Sequence, residues 1–331
     1  MNNIHTTWML LKRGDEVLLG LKKRGFGQGR MNGVGGKVEP DETIEEAAVR
    51  ETEEEIGVKV TKYEKVVEIA FDDLYYKGVP ERNVMYGFIA TEWEGEPTET
   101  DEIKPEWVKI ADLDYDKMWV DDRHWLPQVL EGKKVQAWFH FKEDDTFDDY
   151  WVDEICDDLI DDIQDEDVGL PAKTGDVESY TFKTGARAIM LNEKQQVALI
   201  HSVNRGWYKL PGGGHENDEL RRENLQREVL EETGYKIKNV RAIGVARNTR
   251  HDWQMQAEAW MYLCEADEFV GKEPMADEIE DGDTLEWFDS FDDAIAALKA
   301  VKLDEIGFYG AYFFTKREID SLEYAKRLLQ E

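Results

Sequence analysis

Cysteine is almost missing from this chain. The two present in 331 residues, Cys156 and Cys264, form no metal-ligand or redox spacing. They are expected to be free thiols of a reducing compartment. Positive charge is also in short supply: 41 Lys and Arg face 74 Asp and Glu, a net charge of -33. A nucleic-acid polymer or an anionic membrane would be repelled, so neither is expected as a partner, whereas a small anion carried in with a cation is still allowed. Long apolar runs are lacking as well. The opening MNNIHTTWMLLKRGDEVLLG is interrupted by Lys12 and Arg13, too soon for a signal peptide, and no segment is apolar enough to span a bilayer as a helix. These absences together point to a cytoplasmic protein.

What the chain does have is a spaced cluster that occurs twice. Gly36, Glu42, Arg50, Glu51, Glu54, Glu55 and Gly57 recur 177 residues later as Gly213, Glu219, Arg227, Glu228, Glu231, Glu232 and Gly234. The length allows two domains, each with its own core, and the repeat sets the same division. Residues 1–157 and 178–331 are read as the units. Between Lys142 and Lys173 there is no Lys or Arg, and the run from there ends in Gly, Pro and Asp; residues 158–177 are read as a self-repelling acidic linker.

The cluster has a chemical meaning of its own. Glu51, Glu54 and Glu55 stand at i, i+3 and i+4, on one side of a helix, as do Glu228, Glu231 and Glu232. Carboxylates so close repel unless a hard cation lies among them, and an all-oxygen set suits Mg2+ or Mn2+, which keep waters and also bind substrate phosphates. A cation held this way can clamp a pyrophosphate and activate water. Glu51 also shares its helical bearing with Ile44 and Ala48, on the face that ought to be buried. A local violation of this kind is expected at a functional site.

The helix of the first cluster is expected from Thr43 to Ile56, with Asp41 as N-cap and Gly57 ending it; the second is expected over Asp218–Thr233. A hairpin is expected around Arg13-Gly14-Asp15, and strands near 63–71, 83–90, 106–110, 135–141 and 146–152. Asp101-Glu102-Ile103 and Asp277-Glu278-Ile279 follow the two clusters at nearly equal distances, each before a Trp-containing strand. Glu102 and Glu278 are therefore read as auxiliary ligands or general bases.

The repeated pattern, G-x5-E-x7-R-E-U-x-E-E-x-G-U with U a bulky aliphatic residue, resembles the Nudix box; Thr52 and Tyr235 are its mild departures. The resemblance implies an α/β (α+β) fold, two mixed β-sheets in tandem, each sandwiched by helices. It implies Mg2+-dependent hydrolysis of a small nucleotide, with Arg50 and Arg227 orienting the carboxylates and the Gly36 and Gly213 carbonyls joining them at the metal. The first unit further resembles the branch of animal MutT homologues that hydrolyse oxidised purine nucleoside triphosphates such as 8-oxo-dGTP and 2-hydroxy-dATP. The shared words are LLGLKKRGFGQGRMNGVGGKV, TDEIKPEW, DKMWVDDRHWLP and QAWFHFKEDDTFDDY. That branch implies base-edge reading by Asn32, Asp121 and Asp122, stacking by Trp119, and a pocket lined by Thr7, Lys22 and Phe26. Met31 departs from it, standing where the animal enzyme has tryptophan. The second unit has the whole box and none of these words; its loop HSVNRGWYKLPGGGHE is similar to a broad class of bacterial Nudix hydrolases. Its expected substrate is left open between a nucleoside diphosphate derivative, such as ADP-ribose or a dinucleotide, and a purely nucleotide-sensing role.

Overall fold

A computed structural model of the chain describes residues 3–76, 79–216, 218–272 and 281–330, leaving the side chains of residues 75, 76 and 79 aside. Two compact units divide between Ile155 and Cys156. In the first, β1 (Ile4–Arg13) and β2 (Glu16–Lys22) form the expected hairpin, followed by β3 (Met31–Asn32) and helix α1 (Ile44–Ile56). Then come β4 (Lys59–Tyr76), β5 (Val79–Glu94), β6 (Ile103–Lys109), α2 (Asp122–Leu130), β7 (Val135–Phe141) and β8 (Phe147–Glu154). The sheet runs β3-β2-β1-β5-β4-β7-β8, with β6 also on β2. It is mixed: β1 with β5 and β4 with β7 are parallel, and the other pairs are antiparallel.

Alternation along the strands feeds two cores. Met9, Leu11, Leu18 and Phe88 pack against Ala48 and Ile56 of α1, while Trp8, Leu10, Ile69 and Phe139 pack against Trp125 and Leu126 of α2. The α1 face is secured at both ends. Its N-cap is Thr43 rather than Asp41: Glu46 N donates to Thr43 Oγ1 at 3.2 Å and Thr43 N to Glu46 Oε2 at 2.8 Å, a capping box. Gly57, at φ 74°, closes the helix in the left-handed region that its missing Cβ permits. Thr52, the departure inside the box, is buried and donates to Ala48 O at 2.7 Å, which satisfies its hydroxyl on the core face. Because the box depends on a well-set helix, Thr43→Ala is expected to lower the unit's stability by about 1 kcal/mol, read from the denaturant midpoint.

In the second unit the strands are β9 (Leu159–Ile163), β10 (Thr181–Leu191), β11 (Val197–Ser202), β12 (Trp207–Lys209), β13 (Tyr235–Arg250), β14 (Met255–Phe269) and β15 (Asp283–Phe288). Helix α3 (Arg221–Thr233) carries the second cluster, and α4 (Phe291–Ala300), α5 (Leu303–Ile306) and α6 (Tyr309–Leu328) close the chain. Helix α3 starts three residues later than the acidic Asp218 suggests. The sheet runs β12-β11-β10-β14-β13-β9, with β15 on β11.

The acidic stretch read as a linker is in part strand. Leu159–Ile163 pairs parallel with β13, in the place that β7 takes beside β4. Asp165, buried, accepts from Tyr309 Oη at 2.7 Å, and Lys316 Nζ donates to Asp161 at 3.0 Å, so α6 pins the segment down. Its charge is met by partners, and for that reason composition alone misleads here. Both cysteines are free thiols. Among the described residues no helix is long and apolar enough to cross a membrane.

Candidate active site

The box arginine is the hub of each cluster. Arg50 donates to Glu42 through Nε (2.9 Å) and Nη2 (2.6 Å), to Glu51 at 2.8 Å, to Glu54 at 3.3 Å and to the Lys37 carbonyl at 3.1 Å. Arg227 repeats the set with Glu219 (3.1 and 2.8 Å), Glu228 (2.9 Å), Glu231 (3.2 Å) and the Gly214 carbonyl (3.0 Å). A planar fork with five donors suits this gathering, which a lysine could not reproduce. The Arg50 hydrogen bond holds the Glu42 carboxyl down at about 2, so it stays ionised.

The box glycines have a steric reason. A Cβ on Gly36 would fall 2.5 Å from the Glu51 carboxylate, and one on Gly213 would fall 2.0 Å from that of Glu228. Burial pushes the Glu51 carboxyl up, and that of Glu228 to about 7, opposed by Arg50 and Arg227. These are carboxylates held against their own desolvation, a state that a bound cation would relieve.

The third box carboxylates are placed differently. Glu55 is buried, with Oε1 accepting from Lys22 Nζ at 2.8 Å and Oε2 from Gly35 N at 2.9 Å. Glu232 likewise meets Lys209 Nζ at 2.8 Å and Gly212 N at 2.7 Å. Among the described residues no three acidic, imidazole or thiolate groups close into a metal cage by themselves. The donor set still fits a hard cation that brings waters and phosphate oxygens with it: Glu51 and Glu54 are held by one guanidinium, and Gly36 lies against Glu51. Both box-glycine carbonyls already accept within their own unit, that of Gly36 from Thr7 N at 2.8 Å and that of Gly213 from Ala186 N at 3.1 Å and Arg187 Nη1 at 2.8 Å.

Beside the first cluster opens a cavity of about 500 Å³. Thr7, Lys22, Phe26, Asn32, Trp119, Asp121 and Asp122, contributed by β1, β2, the loop after it, β3 and the start of α2, all line it, together with Gly36, Glu55 and Glu102. Asn32 Oδ1 accepts from Trp8 Nε1 at 2.9 Å and from Gly33 N at 2.8 Å. Two donors on one atom identify it as the oxygen and turn the amide nitrogen to the cavity as a donor. Trp8 is a wall residue that sequence reasoning missed; its place in an apolar strand made it look like plain core.

Asp121 and Asp122 are both buried. Asp121 accepts from Trp125 Nε1 at 3.0 Å, and Asp122 from Trp119 N at 3.0 Å. Desolvation raises both carboxyls, and the charge of Asp121 raises Asp122 further. The pair therefore retains a proton that the unfolded chain would already have lost, and stability falls as pH climbs from the ordinary carboxylate range towards the raised values. Asp122→Asn removes this term. The variant is expected to be more stable relative to the parent at pH 8 than at pH 4, measured as the difference in urea midpoint.

Trp119 is held between partners, stacked on Phe26 at 4.9 Å with the Arg30 guanidinium 4.3 Å from its ring. A Cβ at Gly27 would come within 3.0 Å of that indole. Glu102 is half-exposed, paired with Arg24 at 2.6 Å and 3.7 Å from Lys22, and the Arg24 hydrogen bond lowers its carboxyl. Lys22 thus ties Glu102 to Glu55. Glu278 lies outside the described residues. In the second unit Trp207 packs against Phe308 and Phe314 as core rather than as a stacking surface, and Arg205 pairs with Asp281 at 2.6 Å.

Two mixed sheets, each with a box helix on one face and a glycine loop against a glutamate, define a tandem Nudix protein. The NUDIX domain family matches residues 3–129 and again 181–308, and the chain belongs to that family. It is a Nudix hydrolase whose first half is similar to an oxidized purine nucleoside triphosphate hydrolase of Mus musculus, 41% identical over 149 residues, covering 45% of this chain and 94% of the relative. A hydrolase of the same description from Danio rerio is 41% identical over 151 residues, covering 46% of this chain and 95% of its own. Among solved structures, a MutT protein from Bacillus halodurans is 28% identical with a TM-score of 0.41, covering 45% of this chain and 97% of that one.

Proposed function

We propose that the first unit hydrolyses oxidised purine (deoxy)nucleoside triphosphates to the monophosphate and pyrophosphate, removing damaged nucleotides from the precursor pool. The observation that carries this reading is the cavity wall: an oriented amide donor and two buried carboxyls sharing protons, beside the box. An 8-oxo-purine differs from its parent by a carbonyl at C8 and an N–H at N7, and a 2-hydroxy-adenine by its 2-oxygen. A wall that both donates and accepts suits such edges. Asn32 donates, whichever of Asp121 and Asp122 is protonated donates, and the ionised one accepts.

Glu51, Glu54 and Glu55, with the Gly36 carbonyl, would hold Mg2+, or Mn2+ in its place. When bound, the ion neutralises phosphate charge and lowers the pKa of water. Arg50 holds Glu51 and Glu54 together while Glu42 and the Lys37 carbonyl take the rest of its fork. Lys22, between Glu55 and Glu102, is placed to meet phosphate oxygens. Glu102, kept ionised by Arg24, is a candidate to accept the proton of the attacking water, at the expense of that ion pair. The second unit, with the same hub around Arg227, is read as a second catalyst acting through Glu228, Glu231 and Glu232 rather than a sensor, because its carboxylates and arginine are all in place.

The test is pyrophosphate release by the whole chain from 8-oxo-dGTP and 2-hydroxy-dATP against dGTP and dATP, with and without Mg2+. A preference of at least about tenfold for the oxidised bases, the scale of one hydrogen bond in a dry pocket, is expected. Equal rates on damaged and undamaged bases would overturn the specificity.

A further inference from the structure

The two units can be superimposed by register alone. Thr7 N donates to Gly36 O and Met9 N to Val34 O; Ala186 N donates to Gly213 O and Ala188 N to Pro211 O. Trp8 and Arg187 therefore occupy the same place on β1 and β10. Asn32 opposes Gly20 and Lys209 opposes Ile200, each four residues before its box glycine, so these two correspond as well. Across the sheets, Met85 opposes Thr6 and Ala259 opposes Gly185, while Phe71 opposes Asn83 and Asn248 opposes Ala257. The purine-side wall of the first unit, Trp8, Asn32, Phe71 and Met85, becomes Arg187, Lys209, Asn248 and Ala259 in the second.

Every aromatic or amide position of that wall has changed, and all but one of the replacements are polar or cationic. Arg250 lies on the same face as Asn248, two residues on, with its guanidinium 4.4 Å from the Phe314 ring. Helix α6, which packs here in the role that α2 plays in the first unit, brings Arg317 against the same ring at 5.3 Å. Arg317 is engaged by its neighbour Glu318, at 2.5 Å. Arg187 and Arg250 make no ion pair as short as this, although Glu318 faces both and Glu228 and Glu232 face Arg187; among the described residues the Nε atoms of both have no hydrogen-bond partner. Asn248, 2% exposed, has neither its nitrogen nor its oxygen partnered, and Thr315 and Ser321 of α6 have unpartnered hydroxyls. Unsatisfied buried groups cost stability, and Asn248 with Arg250 on one face of β13 marks a place built for a polar occupant. Among the described residues only Glu318 stands at ion-pair distance from these three guanidinium groups, and this gives the occupant its sign.

We propose that the second unit binds, at the position equivalent to the purine cavity, a phosphate monoester at the far end of a diphosphate substrate, not a base. Two arginines offer planar forks to its oxygens, and Asn248 and the α6 hydroxyls complete the set. Arg187 also donates to the Gly213 carbonyl, so these groups adjoin the box. The proposal rests on reading the second box as a diphosphate site.

The probes are 5-phosphoribosyl 1-diphosphate and its 5-dephospho counterpart, titrated with Mg2+ into the whole chain by calorimetry. Neither carries a purine, so the base contacts of the first cavity are silent. The phosphate-ended probe is expected to bind at least about tenfold more tightly, and Arg250→Met and Arg187→Met to erase that advantage. Equal affinities on the unaltered chain, which decide the matter even if a variant fails to fold, would overturn the proposal, as would an advantage that survives both substitutions. Product release is followed in parallel. Preferential binding without Mg2+-dependent cleavage that Glu231→Gln abolishes would refute catalysis by the second box and leave the anion site standing.

Discussion

Glu54→Gln should lower hydrolysis of an oxidised purine triphosphate by about a hundredfold or more, since even partners one layer behind a metal ligand cost about 10- to 100-fold. The side chain is largely exposed and meets only Arg50 within the cluster, at 3.3 Å. Its replacement by an isosteric amide should therefore leave the denaturant midpoint within about 0.5 kcal/mol of the parent. The readout is pyrophosphate release per folded molecule across a range of Mg2+ concentrations. Rescue at high Mg2+ would show that affinity for the ion was lost. Unchanged turnover at every concentration would remove Glu54 from the metal site. Glu231→Gln is expected to leave this activity untouched, because each arginine gathers only its own cluster.

Base choice should depend on the buried carboxyl pair. Asp121→Ala is expected to raise KM for 8-oxo-dGTP about ten- to a hundredfold more than KM for dGTP, the scale of a lost hydrogen bond in a dry pocket. Asn32→Ala should act in the same direction, with an added structural cost because Trp8 Nε1 and Gly33 N lose their acceptor. Asp121→Asn separates the two effects: its amide oxygen can still accept from Trp125, so stability should hold while discrimination falls. Equal losses on both nucleotides would make these residues supports of the wall rather than readers of the base.

Much of this was legible in the residues themselves. The i, i+3, i+4 carboxylates located α1, and Val135–Phe141 alternates so regularly that β7 has the bounds its pattern implies. The short strands β3 and β12 carry two and three residues, too few for any periodicity. Strand β9, written in LIDDI, carries the composition of a solvated linker, and only its pairing with β13 and the lysine and tyrosine of α6 make it a strand. In the site, the box announced itself because it is repeated. The equivalent wall of the second unit did not, because Arg187 and Asn248 lie in strands whose neighbours read as ordinary core, and their meaning comes only from register against the first unit.

The origin of β9 bears on how the second half can be produced. Its sheet edge is supplied from upstream of the whole repeat, where the first unit takes the matching strand from downstream. A fragment cut at the Gly- and Pro-containing stretch near residue 176 would leave β13 with its hydrogen-bonding edge bare, an open template for self-association. A fragment that starts at Cys156 keeps the edge covered, and domain shuffling of this half would have to carry those upstream residues along as part of the heritable module.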